Sequence, residues 1–309
     1  WVYYFCQLDH TLKGWNNVES VIKNVIVTNN TIVPTMDTTI SEYLQTSFYA
    51  NDLLKKLLTT IYNVIPQNNK IEFSENMHIY ELKNRETKFY PFLLDELNKF
   101  EALFQEYFKS EYYVSESPGK GNYAYLNLLS NMNINALDPN TNYHILDFNY
   151  TRLSYIEKNV RNIHGRLADN NIIFGIDATK IDSNTPYYQF TKESRIMHNS
   201  LESSLDKDIL NKNIKEIKFF GHSLAEADYA YFQSIFDYLN IYDSDVILIF
   251  YYGSYLKVHK AELTEYEHQI QKLLSIYGTT LDNKDNGKNI MTKMMLENRL
   301  QIKHINSDY

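Results

Sequence analysis

The chain of 309 residues is first bounded by what it has little of. It holds one cysteine, Cys6, so neither an internal disulfide nor a cysteine-built zinc site is open to it. A reducing, cytoplasmic setting fits that usage best. No apolar run approaches the ~18 residues of a membrane-spanning helix, and no secretory leader is visible. Positive charge is also short: 30 Lys and Arg against 38 Asp and Glu leave a net charge of −8, which argues against a nucleic-acid surface. Glycine is scarce, with nine residues or about 3% of the chain against a usual ~7%. Each glycine position therefore carries weight, and Gly165, Gly175, Gly221 and Gly253 all lie at or near the ends of apolar, strand-like runs. The chain begins at Trp1 rather than methionine, and the expectation is that an N-terminal segment precedes it.

What is abundant is aromatic: 27 tyrosines and 16 phenylalanines predict a core built largely of rings. Trp15, Val18, Ile22 and Val25 recur at helical spacing and predict a helix over 15–27. A second helix is expected over 38–65, stopped at Pro66, and a short strand near Ile71-Glu72-Phe73. The clearest helix is 90–113, with Pro91 in its first turn and Leu93, Leu97, Phe100, Leu103, Phe104 and Tyr107 as its stripe. Another runs from Tyr123 to Met132. From there strands and helices alternate: a strand over 143–148, a helix over 152–160, a strand at Ile172-Ile173-Phe174 and one or two polar helices over 189–211. A strand over 214–220, a helix over 228–240, a strand over 246–252, helices over 256–277 and 288–298 and a last strand over 300–302 follow. Such alternation implies an α/β fold whose parallel sheet is covered on both faces. The expected architecture is a Rossmann-like, doubly wound core over 1–34 and 136–309, with a helical insertion over 35–135.

Three polar turns stand where apolar runs end: Asp147-Phe148-Asn149-Tyr150-Thr151, Asn162-Ile163-His164-Gly165 and Phe220-Gly221-His222-Ser223. The rim of a parallel sheet offers a ligand this kind of turn. Asn149 either satisfies turn backbone or holds a sugar hydroxyl or a water through its amide. Thr151 reads most simply as a helix N-cap. His164 is either a hydrogen-bonded structural imidazole or a general base, while Gly165 serves backbone geometry in both cases. Gly221 clears space in which Ser223 reaches a ribose or phosphate, Asp228 caps the helix that follows or lines the site, and His222 faces ligand or solvent. The nine histidines never stand at metal-ligand spacing on a helix, so no metal is expected. Pro118-Gly119-Lys120-Gly121 lacks the spacing of a phosphate-binding loop.

These blocks, with Trp15-Asn16-Asn17-Val18-Glu19, Phe174-Gly175-Ile176-Asp177 and Leu296-Glu297-Asn298-Arg299-Leu300, resemble the AbiH family of bacterial abortive-infection proteins. Members usually open with a strand and a glycine-rich loop that is not seen here. The same block order is similar, more distantly, to the sirtuin-like NAD-binding fold. That resemblance implies an anti-phage protein that cleaves the nicotinamide–ribose bond of NAD. It implies Asn149 and His164 as catalytic residues, with Gly165, Gly221, His222, Ser223 and Asp228 around the nucleotide. Glu19 and Asp177 are implied as charge stabilisers or else as solvated residues. The spacing between Asn149 and His164 is shorter than the sirtuin pattern has. The expected partners are NAD or a related nucleotide, a phage-encoded trigger protein and a second copy of the chain.

Two other readings stand beside this one. In the first, the fold binds a nucleotide as a sensor, or a phage protein through the insertion, without turnover. In the second, Asp147 opens an Asp-x-Asn-x-Thr run close to the signature of haloacid-dehalogenase-like phosphohydrolases, but Asn149 replaces the usual general acid. Nuclease activity is disfavoured by the acidic charge.

Overall fold

The computed structural model describes residues 18–19, 22–23, 26, 89–115, 120–138, 140–151, 160–178, 181–200, 209–253 and 260–305. Two compact units divide the chain: Trp1–Lys109 with Asn170–Ser203, and Ser110–Asp169 with Ser204–Tyr309. In chain order the elements are helices α1 (Phe89–Ser115) and α2 (Lys120–Asn131), strands β1 (Ile145–Asp147) and β2 (Val160–Asn162), and helix α3 (Lys192–Ser200). Strand β3 (Glu216–Phe220), helix α4 (Tyr229–Leu239), strand β4 (Ile247–Tyr252), helices α5 (Lys260–Thr280) and α6 (Lys284–Leu296) and strand β5 (Leu300–His304) follow. The class is mixed α/β with small parallel sheets, one of two strands and one of three in the order β3-β4-β5.

In the second unit β4 runs between two parallel neighbours, Phe219 facing Phe250 on one side and Phe250 facing Ile302 on the other. Its residues 248–251 are all buried, as a strand covered on both faces requires. Leu248 and Phe250 meet Phe232 and Phe236 of α4, Leu274 of α5 and Met294 of α6. Ile249 and Tyr251 meet Leu128 of α2 and Met132 just beyond it. Rings carry much of this contact, with Phe219 stacked on Phe250 at 4.4 Å between centroids. Each such side chain contributes roughly 1.5–3 kcal/mol by leaving water. Arg299, buried just before β5, donates from Nη1 to the Ile241 and Val246 carbonyls at 2.7 and 3.3 Å and from Nη2 to Tyr242 at 3.2 Å. It thereby closes the turn that leads into β4.

Helices α5 and α6 cross at two glycines. A Cβ on Gly278 would lie 2.4 Å from the Gly287 carbonyl oxygen, and one on Gly287 would lie 2.0 Å from that of Gly278. Helix α6 starts at residue 284, earlier than the expected 288, because Asn283 accepts hydrogen bonds from the Asp285 and Asn286 amides as its N-cap. The expected end of α4 at residue 240 marks its left-handed cap, Asn240 at φ 46°.

In the first unit α1 buries Leu93, Leu97 and Phe104, as its stripe predicts. Leu103 and Tyr107, assigned to the same stripe, are instead 53% and 60% exposed. Glu101, one turn after Leu97, takes a buried place in their stead. Its carboxylate accepts the Phe174 amide at 2.6 Å and pairs with Arg195 at 2.6 Å. Burial pushes this carboxyl up, against the pull of Arg195 and the Phe174 amide. A second buried pair joins Glu19 to Lys192 at 3.0 Å, and Glu19 also accepts the Gly175 amide at 3.3 Å. These side-chain acceptors explain why Ile172-Ile173-Phe174 is buried yet forms no ladder: the donors of 174 and 175 go to carboxylates. An isolated bridge, Ile176 to Thr191, is the backbone pairing this stretch makes. Gly175 is required there, because a Cβ would meet Lys192 Cγ at 2.8 Å.

Residues 18, 19, 22, 23 and 26 are helical, and Val18, Ile22 and Ile26 are buried. The expected helix over 38–65 and the strand near 71–73 lie outside the described residues, as does most of the insertion expected over 35–135. So does the helix expected over 152–160, except that Val160 opens β2, a strand the sequence reading did not include. Among the described residues no helix is long and apolar enough to cross a membrane.

Two outcomes test this packing. Alanine at Gly278 or Gly287 should lower the unfolding free energy by about 1–3 kcal/mol or more in denaturant titration, since neither helix backbone is able to yield. Glu101→Ala should cost about 3–5 kcal/mol by the same measurement, because it strands the buried Arg195 cation.

Candidate functional site

The loops after β1 and β2 leave side by side because the ladder ends on Asp147 opposite Asn162. The Ile163 amide continues it, donating to the Asp147 carbonyl at 2.9 Å, and Leu167 N–H reaches the Tyr150 carbonyl at 2.9 Å. Asp147 itself is buried. Its Oδ1 accepts both the Asn149 backbone amide at 2.9 Å and Asn149 Nδ2 at 3.0 Å, an Asx turn reinforced by the side chain two residues on. Asn162 ties the pair together by donating Nδ2 to the Asn149 carbonyl at 2.8 Å. Burial pushes the Asp147 carboxyl above its usual range, opposed by hydrogen bonds from Asn149 and Asn162. The Asn149 side chain stands exposed at the rim.

The loop after β3 turns on Gly221 at φ 68°, where nothing lies within 4 Å of an added Cβ. Leu224 adopts φ 51° with its side chain buried, a strained conformation held by core contact and by its amide, which donates to His222 Nδ1 at 2.8 Å. An imidazole whose Nδ1 accepts a hydrogen bond carries its proton on Nε2, and His222 Nε2 lies 3.2 Å from Asp228 Oδ2. Asp228 occupies the N-cap position of α4 but makes no capping bond. The capping role expected of it is therefore overturned: one oxygen serves His222 and the other faces His164.

His164 is buried, and its Nε2 lies 3.3 Å from Asp228 Oδ1. The approach is too oblique for a hydrogen bond, so Nε2 is a buried nitrogen without one. Phe148 wedges between the two imidazoles, its centroid 5.7 Å from His164 and 4.5 Å from His222. Tyr231 of α4 flanks His164 at 5.9 Å, and Phe232 meets His222 edge-on at 5.2 Å. Rings on several sides fix the rotamers of both histidines.

The loops after β1, β2 and β3 belong to one unit, and His164, Asp228 and His222 meet there around Phe148; Asn149, Gly165, Gly221 and Ser223 stand in the same three loops. Asn149, Gly221 and Ser223 are exposed there, while His164 and Asp228 are buried. His222 and Asp228 are turned toward protein groups, His222 toward the Leu224 amide and Asp228, and Asp228 toward His222 with His164 alongside. Thr151 lies at the edge of the described residues. Glu19 and Asp177 belong to the other unit, and Glu19 is engaged there by Lys192 and the Gly175 amide. Among the described residues no group of three or more His, Cys, Asp or Glu is arranged to hold a metal ion. Residues missed by the sequence reading are Asp147 as an anchor for Asn149, Asn162 as a tie between loops, and Phe148 and Tyr231 as walls. The Asp-x-Asn spacing of an Asx turn was the available signal for the first.

Asp147 carries a pH signature. Its folded pKa lies above the unfolded value, so its contribution to stability is fully present below the ordinary carboxylate range and is lost as pH rises through the folded value. Unfolding midpoints of wild type and Asp147→Asn, compared across that range, should shift in favour of the variant as pH rises.

A family model described as bacteriophage abortive infection AbiH matches residues 1–252. No curated protein and no solved structure matches the chain.

Proposed function

The chain belongs to the AbiH family of bacteriophage abortive infection proteins, and we propose that it serves that role in the cytoplasm by binding NAD at the three strand ends and hydrolysing its nicotinamide–ribose bond. The carrying observation is the buried His164 imidazole beside the Asp228 carboxylate, one loop from the exposed Asn149 amide. We read the two parallel sheets as parts of a doubly wound, sirtuin-like sheet, in which ligands lie beyond the carboxyl ends of the strands.

In this reading the C–N bond breaks with its electron pair leaving on nicotinamide, which cancels the charge of the pyridinium ring. The ribose carbon passes through an oxocarbenium-like state and takes the oxygen of a water. Asn149 holds that water or a ribose hydroxyl. His164 accepts the proton the water gives up: with Nε2 turned to Asp228, Nδ1 is the atom left to receive it. Asp228 then faces an imidazolium, and His222 keeps the carboxylate in place from its other oxygen. Gly165, Gly221 and Ser223 line the nucleotide. A leaving group this good asks the protein mainly for positioning and charge stabilisation.

The oblique contact between His164 and Asp228 favours a second reading, a nucleotide sensor without turnover. Incubation of the purified protein with NAD separates the two. Nicotinamide release that falls about a hundredfold or more in His164→Ala and about tenfold in Asn149→Ala supports hydrolysis. NAD binding by calorimetry without release supports the sensor, and neither binding nor release removes the nucleotide reading.

A further inference from the structure

The Asn149 side-chain amide has a fixed sense. Both the backbone N–H and Nδ2 of Asn149 are drawn to the same atom, Asp147 Oδ1, at 2.9 and 3.0 Å. The reversed amide would place Oδ1 against a carboxylate oxygen, where two acceptors repel and no hydrogen stands between them. Asp147 cannot swing away, because it is buried with 7% exposure and lies at the end of the β1–β2 ladder. The Asn149 carbonyl is held from the far side by Asn162 Nδ2 at 2.8 Å, so the turn backbone cannot rotate to release the amide. With the NH2 group turned inward, Asn149 Oδ1 is the atom presented at an exposed position on the rim.

We propose that Asp147 is a specificity-determining positioning residue: by holding Asn149 Oδ1 outward it makes this corner of the site a hydrogen-bond acceptor, which selects a ligand hydroxyl, here a ribose hydroxyl. The proposal rests on the nucleotide reading above for the identity of the ligand, and on the Asp147–Asn149–Asn162 geometry for the direction of the bond. A free asparagine recognises donors and acceptors alike; a pinned one rejects an analogue that has lost its hydroxyl, because the acceptor is left facing nothing.

The test uses ADP-ribose, which holds no nicotinamide bond to cleave, and its two analogues lacking the 2- or 3-hydroxyl of the terminal ribose. Binding of each is measured by calorimetry to wild type, Asp147→Asn and Asp147→Leu. In wild type one deoxy analogue should bind about tenfold more weakly than ADP-ribose, the worth of one hydrogen bond. Asp147→Asn keeps an acceptor oxygen and should retain most of that gap. Asp147→Leu should close it to less than about twofold, with binding of the deoxy analogue itself little changed. A merely structural loss would instead weaken all three ligands together. Should Asp147→Leu not fold, exchange of the Asn149 side-chain amide protons in free wild type gives the second measurement. Exchange slowed well below that of an unbonded exposed asparagine supports the lock, and unrestrained exchange overturns it. If wild type binds ADP-ribose with no hydroxyl discrimination, or with discrimination that survives in Asp147→Leu, this proposal falls and the nucleotide reading stands. If wild type binds neither NAD nor ADP-ribose, the nucleotide reading falls and the ribose assignment with it.

Discussion

A carboxylate taken out of water has to be given hydrogen bonds or countercharge, and that constraint shapes the turn after β1, the loop before α4 and the stretch at residues 174 and 175. Asp147, Asp228, Glu101 and Glu19 are each buried or largely so. Asp147 is satisfied by amides, Asp228 accepts from the His222 imidazole, and Glu101 and Glu19 are each met by a cation and a backbone N–H. The unpaired alternative costs several kcal/mol per ion, so the loops that supply these partners have little freedom. In the first unit the result is a clamp of α3 onto residues 174 and 175. In the second it is a set of side chains, Asn149, Asp147, His222 and Asp228, whose orientations are fixed by one another.

The second unit shows how a core and a site share the same parts. Phe232 belongs to the cluster that covers β4, yet its ring also meets His222 edge-on. Phe148 packs against that cluster while standing between the two histidines. Leu224 is buried in it, and the strained φ that this requires aims its amide at His222 Nδ1. The orientation of the imidazoles is therefore tied to hydrophobic packing, since the rings that flank them also belong to the core cluster or pack against it.

How much of this was legible in the sequence follows from the range of the forces involved. The strands 216–220 and 247–252 and the helices around them are written in local periodicity and emerge within a few residues of their expected bounds. The turn after β3 meets those after β1 and β2 through His164 beside Asp228 and Phe148 beside His222, although the described strands β1 and β2 pair in one sheet and β3 in another. Pairings set by tertiary contact were not legible. Nothing near Glu101 signals that it, and not Leu103, fills the buried face of α1, since its partner Arg195 lies far along the chain. Ile172-Ile173-Phe174 has the composition of a strand, and only the side-chain acceptors at 19 and 101 explain why no ladder forms. Asp228 reads as a cap because Asp before a helix usually is one; the two histidines that claim it instead are visible only in three dimensions.

The reach of the family match bears on what the site is for. It runs to residue 252, the last residue of β4, and so includes all three strand ends and every residue gathered there. What lies beyond it, α5, α6 and β5, contributes Leu273, Leu274, Ile290 and Met294 to the core and a parallel neighbour to β4. None of the residues assigned to the site comes from that stretch. Arg299 shows what the stretch does instead: three carbonyls of the 241–246 turn are held by one guanidinium, which fixes where β4 begins. The register of β4 against β3 then fixes where Phe220 ends and the Gly221 turn starts. The C-terminal segment thus acts on these turns through the sheet, through the core cluster it shares with Leu224, and through the pair of Lys272 with Glu226 at 2.6 Å in the loop after β3.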